Sequence, residues 1–277
     1  MLRYFARKAA APSLKPAPPP VNPVWPLPRR PGGPSDAEIR AQFAKHASWH
    51  YTYEFDGGLS FSSHYANLSS QPPGATRRHF QRFRHFMPYL LAAQNGSLKG
   101  KRILDMACNS GFWSIQCALL GAEVVGFDGR PELIEQSNLI KSIVGVRNVE
   151  FRVLDFWDLS PQSMGGTFDI VFNFGLLYHL PKPVEALQLT KSMARENILL
   201  DTAVYRTKKP VIRLEWEEPD DIRNATRSGV VARPSKASIE MMLKHIHVGE
   251  AFEIPLHTTD MPPQYIDGRR ASWLIKV

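Results

Sequence analysis

The chain of 277 residues contains only two cysteines, Cys108 and Cys117. Two thiols this close in sequence give neither a disulfide framework nor a metal-ligand spacing, and they fit a reducing compartment. No cluster of His, Cys, Asp or Glu has the spacing of a metal site, so none is expected. Long apolar runs are also missing. No stretch approaches the roughly 18 residues of a membrane helix, so no membrane span is expected. Internal repeats are absent. Acidic residues are missing from residues 1–35, which hold Arg3, Arg7, Lys8, Lys15, Arg29 and Arg30. That segment supplies +6 of the formal net charge of +8, leaving 28 basic against 26 acidic residues elsewhere. The basicity therefore belongs to a tail, and the body is nearly neutral.

The tail is rich in proline from Pro12 through Pro34. It reads as a disordered or polyproline-like segment over residues 1–34. No apolar core follows its charges, as a secretory signal would require, and its poverty in serine argues against a transit peptide. The location read from the sequence is cytoplasmic. Residues 35–98 form an N-terminal extension. Ser35 and Glu38 have capping-box spacing for a helix to about His46. An aromatic-rich stretch, Ser48–Tyr65, turns at Gly57-Gly58 as an irregular segment or hairpin. A helix over Ala75–Ala93 places Phe80, Phe83, Phe86, Leu90 and Leu91 on one side and Arg77, Arg78, Arg82 and Arg84 on the other. Those arginines are either a solvated face or a phosphate-contacting patch.

The remainder, 99–277, is organised around Lys101–Asp128. Ile103–Ala107 is a short apolar run with the character of a buried parallel strand. A tight turn of small residues, Cys108–Gly111, follows. Helical spacing over Phe112–Leu120 ends at Gly121, and Glu123–Phe127 is a second strand closed by Asp128. Strand, turn, helix, strand and acid make the nucleotide-binding half of a doubly wound sheet. Such a turn leaves backbone N–H groups facing a crevice. An acid about 20 positions beyond it suits ribose hydroxyls. Position 112, where a dinucleotide fingerprint needs its last glycine, is Phe112. Further strands are expected at Val149–Leu154, Phe168–Asn173 and Asn197–Val204, with short apolar runs at Ala251–Pro255 and Ala271–Val277 completing the edge. Helices are expected at Pro131–Ile143, Lys182–Met193 and from Pro234-Ser235 to about His245. Thr207–Arg233 reads as polar and irregular.

The small or left-handed-tolerant positions 107, 109 and 111, preceded by Asp105, resemble the D-x-G-x-G-x-G motif of class I S-adenosylmethionine-dependent methyltransferases. The resemblance covers roughly Lys99–Val277. It implies an α/β, Rossmann-like fold: a mostly parallel, doubly wound seven-stranded sheet, here with a helical and aromatic N-terminal extension. It implies S-adenosylmethionine as cofactor. It places Asp105, Ala107, Asn109 and Gly111 around methionine and ribose, Asp128 on the ribose hydroxyls, and Asp155 with Phe156 against adenine. Gly175 and the Leu177-Tyr178-His179-Leu180 segment fall between cofactor and acceptor. Phe172–His179 and Gly229–Ser235 resemble more narrowly the branch of the bacterial tRNA wobble-uridine carboxymethyltransferase and its relatives of unassigned substrate. In that branch the position of Tyr178 helps hold a carboxylated S-adenosylmethionine, together with a basic residue from the N-terminal region. Ser48–Tyr53 has no Lys or Arg, which favours the ordinary donor.

Tyr178 and His179 are the expected catalytic residues, because a strand's carboxyl end is where open α/β sheets bind ligands and a histidine titrates near neutrality. His50, Tyr51 and His64 are further residues of a segment that could close over the site. The expected activity is methyl transfer to a small-molecule, sugar or lipid-linked acceptor. A tRNA-modifying enzyme and a non-catalytic binder are the alternatives, and tRNA is the one macromolecular partner considered. The aromatic segment Trp49–Tyr65 and the insert Thr207–Arg233, with its acids Glu215–Asp221, are expected to meet over His179. Those acids would favour a polar, hydroxylated or cationic acceptor.

Overall fold

The computed structural model describes residues 18–63, 77–218, 221, 224 and 229–277. In chain order its elements are α1 (Asp36–Phe43), β1 (Tyr53–Phe55), β2 (Leu59–Phe61), α2 (Arg78–Ala93), β3 (Arg102–Met106), α3 (Phe112–Leu119), β4 (Glu123–Asp128), α4 (Pro131–Val144) and β5 (Val149–Val153). They continue with β6 (Phe168–Phe174), α5 (Pro183–Met193), β7 (Ala194–Ala203), β8 (Ile212–Trp216), β9 (Val230–Pro234), α6 (Lys236–His245), β10 (Glu250–Glu253), α7 (Pro263–Ile266) and β11 (Arg270–Lys276).

Seven strands form one sheet in the order β10-β11-β7-β6-β3-β4-β5. Neighbours from β7 to β5 are parallel, and β11 pairs antiparallel with both β7 and β10. The chain starts at β3, runs outward through β4 and β5, and returns to β6 on the other side of β3. The strand order thus reverses between β3 and β6, and a crevice opens there at the carboxyl ends.

Strand alternation divides the apolar residues between two cores. Ile103, Val124, Ile170 and Phe172 pack with α2, α3, α4 and the N-terminal extension. Leu104, Met106, Val171 and Trp273 pack with α5 and α6 on the opposite face. Two hairpins lie outside the sheet. β1–β2 turns at the two left-handed glycines 57 and 58, and β8–β9 occupies the insert expected to be irregular.

Residues 1–17 of the tail lie outside the described residues, but residues 18–34 pack on the body. Leu27 is 1% exposed and bridges to Phe55. Gln116 clamps the backbone of Val24, accepting from its N–H at 2.8 Å and donating to its carbonyl at 3.0 Å. Arg30 N–H reaches the Ile143 carbonyl at 2.9 Å. Proline removes donors, but the N–H groups of Val24, Leu27 and Arg30 find partners on the body, and Leu27 supplies the apolar anchor. Ser35 closes the anticipated capping box with Glu38.

Candidate active site

A cavity of about 510 Å³ occupies the crevice. One half is built by the ends of β3, β4 and β5. The turn after β3 has φ of +52° at Ala107, +53° at Asn109 and +80° at Gly111, a run that strains the two non-glycine residues. Gly111 has no substitute, because a Cβ there would stand 2.8 Å from the Phe151 ring. Ala107, Asn109, Asp128, Asp155 and Phe156 line the cavity. Asp128 accepts from the Asn109 and Arg130 N–H groups, both at 3.1 Å, so the turn is fastened to the end of β4. Burial raises its pKa to about 6 against these hydrogen bonds. Asp155 accepts from Trp157 N–H at 2.9 Å. Tyr53 donates to the Ser110 carbonyl at 2.7 Å and ties the first hairpin to the turn.

Asp105 and Gly111 are not brought to the cavity wall. Asp105 is 1% exposed and accepts from Ser114 Oγ at 2.6 Å, holding α3 against β3. Burial raises its pKa to about 7. Burial also pushes the Cys108 and Cys117 thiols well up, which leaves them unreactive. Among the described residues no three His, Cys or acidic side chains converge as a metal site.

The other half is assembled from distant segments. Gly175, Tyr178 and His179 follow β6, and Arg78, Arg233 and Arg270 come from α2, β9 and β11. Beneath them Asp201 on β7 is fully buried. It accepts from Arg82 at 2.5 Å, Arg270 at 2.8 Å, Tyr265 at 2.7 Å and Ser272 at 2.9 Å. Burial alone would raise its pKa, but the two guanidiniums hold it far below the usual carboxylate range. Arg82 therefore lies neither on a solvated face nor in a phosphate patch. Its charge needs a counter-ion inside the protein.

His179 Nδ1 meets Glu217 Oε2 at 2.5 Å, and the Tyr178 and His179 rings are 4.0 Å apart. Burial disfavours the charge on His179, but Tyr178 and the Glu217 hydrogen bond outweigh it and raise the pKa. Burial would raise Tyr178, yet His179 and Arg270 bring it down to about 7. Arg270 and Arg233 flank its ring at 5.4 and 5.8 Å.

Both expected covering segments reach the cavity, through His50 and Tyr51 and through Glu217, Asn224 and Arg233. The aromatic wall is mostly core instead. Trp49, Tyr53 and Phe55 are buried around Phe43, and Trp216 is 67% exposed. His64 lies outside the described residues.

A family model described as a methyltransferase domain matches residues 97–233. Residues 97–233 form a methyltransferase domain. The tRNA U34 carboxymethyltransferase of Helicobacter hepaticus is 28% identical over 134 residues, covering 46% of this chain and 42% of that protein. The ubiquinone biosynthesis O-methyltransferase of Bordetella pertussis is 33% identical over 103 residues, covering 36% of this chain and 41% of that protein. The chain spans about half the length of the curated relatives it matches. The methyltransferase domain shares its fold with the N-terminal domain of EvdMO1, solved with S-adenosylhomocysteine bound. The TM-score is 0.66 at 22% identity, over 90% of this chain and 98% of that one. S-adenosylmethionine, the cofactor of this domain type, fits the residues present. The turn is left-handed and small, an acid stands at the end of β4, and the cavity has a ligand pocket's volume.

Arg270 was not anticipated as a lining residue, and Arg78, Glu217 and Arg233 were named only within a helix face and an insert, without a place in the cavity. One signal was available: Asp201 stands inside the apolar run Ile198–Ala203, and a buried carboxylate there demands cationic partners.

Proposed function

We propose that the protein methylates a hydroxyl of a small-molecule acceptor, using S-adenosylmethionine as donor. The observation that carries this reading is the Tyr178–His179–Glu217 chain facing the cavity opposite the left-handed turn. When bound, the donor supplies a methyl group on a positively charged sulfur. Ala107 and Asn109 would hold its methionine end, Asp128 its ribose, and Asp155 with Phe156 its adenine. An alcohol proton is too weakly acidic to leave unaided, so a base is required. Tyr178 takes that proton. His179, charged and anchored by Glu217, together with Arg270, keeps Tyr178 available as phenolate. The bound donor would supply its methyl group to the attacking oxygen and leave as S-adenosylhomocysteine. The proton passes from Tyr178 to solvent after release. The walls supplied by His50 and Tyr51 and by the second hairpin exclude water and align the nucleophile.

The tRNA-modifying reading draws support from the similarity to the U34 enzymes, but burial of Arg82 counts against α2 as a phosphate track. The non-catalytic reading rested on Ala107 and Asn109. Both hold left-handed geometry, so that support is weak. The test is incubation with methyl-labelled S-adenosylmethionine and separated fractions of a cell extract. Label in the small-molecule fraction is expected. Label in the RNA fraction, or in neither, overturns the reading.

A further inference from the structure

The cations of the acceptor half are accounted for one by one, with a single exception. Arg233 pairs with Glu215 at 2.8 Å, Arg269 with Asp267 at 2.6 Å, and His179 with Glu217 at 2.5 Å. Arg82 and Arg270 share the one carboxylate of Asp201. Arg78, at the start of α2, has no hydrogen bond or ion pair among the described residues, although it lines the cavity and is half-buried. A second observation points the same way. The Nε of Arg233, on the opposite wall, is buried without a partner. A half-buried guanidinium with no counter-ion among the described residues is costly unless a ligand supplies one. Burial and the neighbouring Arg270 and Arg82 push its pKa down, which adds to that cost.

The location decides which ligand this is. Arg78 acts on Tyr51 ahead of β1 and on its neighbour His79, and the groups that act on it are Arg270, Arg82, Tyr178 and Tyr265. They belong to α2, β11 and the segments after β6 and before β11. The donor half lies across the sheet's switch point, at the ends of β3, β4 and β5. We infer that Arg78, assisted by Arg233, binds a compact oxyanion, a carboxylate or phosphate, carried by the acceptor next to its reacting hydroxyl. This rests on the methyl-transfer reading and reverses the cationic acceptor suggested by the acidic run: Glu215 and Glu217 are consumed by Arg233 and His179. A planar guanidinium offers such an anion two parallel donors, and the cavity's size limits the acceptor to a small molecule once the donor is seated.

The test titrates inorganic phosphate and, separately, acetate into full-length protein saturated with S-adenosylhomocysteine, with calorimetric readout. At least one anion is expected to bind. Arg78→Gln should weaken it at least tenfold and leave S-adenosylhomocysteine affinity unchanged. Arg78→Lys should restore part of the loss. Arg84→Gln, an exposed change on the same helix, should alter neither, and matching melting curves show that Arg78→Gln is folded. Binding of neither anion overturns the inference. So does anion binding only without S-adenosylhomocysteine, or loss of S-adenosylhomocysteine affinity in Arg78→Gln, because the guanidinium then serves the donor. Failure of the methyl-transfer reading registers separately, as absence of S-adenosylhomocysteine binding to the unaltered protein.

Discussion

The two halves of the cavity are built by opposite means. The donor half is local. Its residues fall within Ala107–Trp157, and backbone conformation with short-range hydrogen bonds does most of the work: three positive φ angles, two N–H groups on Asp128, one on Asp155. The acceptor half is assembled over long distances. Arg82 meets a carboxylate 119 positions away, Arg270 meets the same one 69 away, and His179 meets Glu217 38 away. Local geometry makes the first half tolerant of what surrounds it. The second half depends on charges cancelling inside the protein.

Breaking that cancellation should have the largest effect. Asp201→Ala leaves two buried guanidiniums without a counter-ion and should cost about 3–5 kcal/mol, as loss of one partner in a buried ion pair does. Urea denaturation measures it, and a change below 1 kcal/mol would contradict the assignment of the network. Next come the chemical steps. Tyr178→Phe should lower kcat by about 10²–10⁴-fold, the range of general-base catalysis, with S-adenosylhomocysteine affinity unchanged. Asp128→Ala should do the reverse to the donor half and weaken S-adenosylhomocysteine by about 10–100-fold, the worth of a charge-assisted hydrogen bond. If the two variants fail to separate in this way, the division of the cavity is wrong.

The pH dependence sharpens the comparison further. In the proposed mechanism the working form of Tyr178 is the phenolate, whose pKa is brought down to about 7. kcat/KM should therefore fall about tenfold per unit as pH drops below that value and level off above it. His179→Gln removes the cation that stabilises the phenolate, so its rate profile should move to higher pH. A profile that stays in place would assign Tyr178's depression to Arg270 alone. The smallest effect is expected at Trp216, exposed on the outer face of β8. Trp216→Ala should stay within about 0.5 kcal/mol, as for other surface changes, and leave turnover intact.

The same contrast explains what could be read in advance. The strands, the turn at 107–111 and the acid at 128 follow from periodicity and small-residue spacing, which are local properties. The hairpin at Leu59 and the capping box at Ser35 were legible for the same reason. The acceptor half was not, because an arginine on an amphipathic helix looks alike whether it faces solvent or a buried carboxylate more than a hundred residues on. The packing of residues 18–34 was not legible in composition. Proline content signals a chain that does not form its own core, but it does not reveal that Leu27 and Gln116 attach that chain to another.

Glu217 stands immediately after β8, at the mouth of the hairpin that also carries Arg233 and Glu215. Under the proposed mechanism, the strength of the base and the shape of the acceptor chamber are therefore inherited together. A hairpin exchanged for one from a relative, to admit a different acceptor, removes the carboxylate that anchors His179 unless it restores an acid at the same register. Specificity in this fold is not a surface that can be redrawn around a constant catalytic centre, and any swap has to be judged by its pH profile as well as by the molecules it accepts.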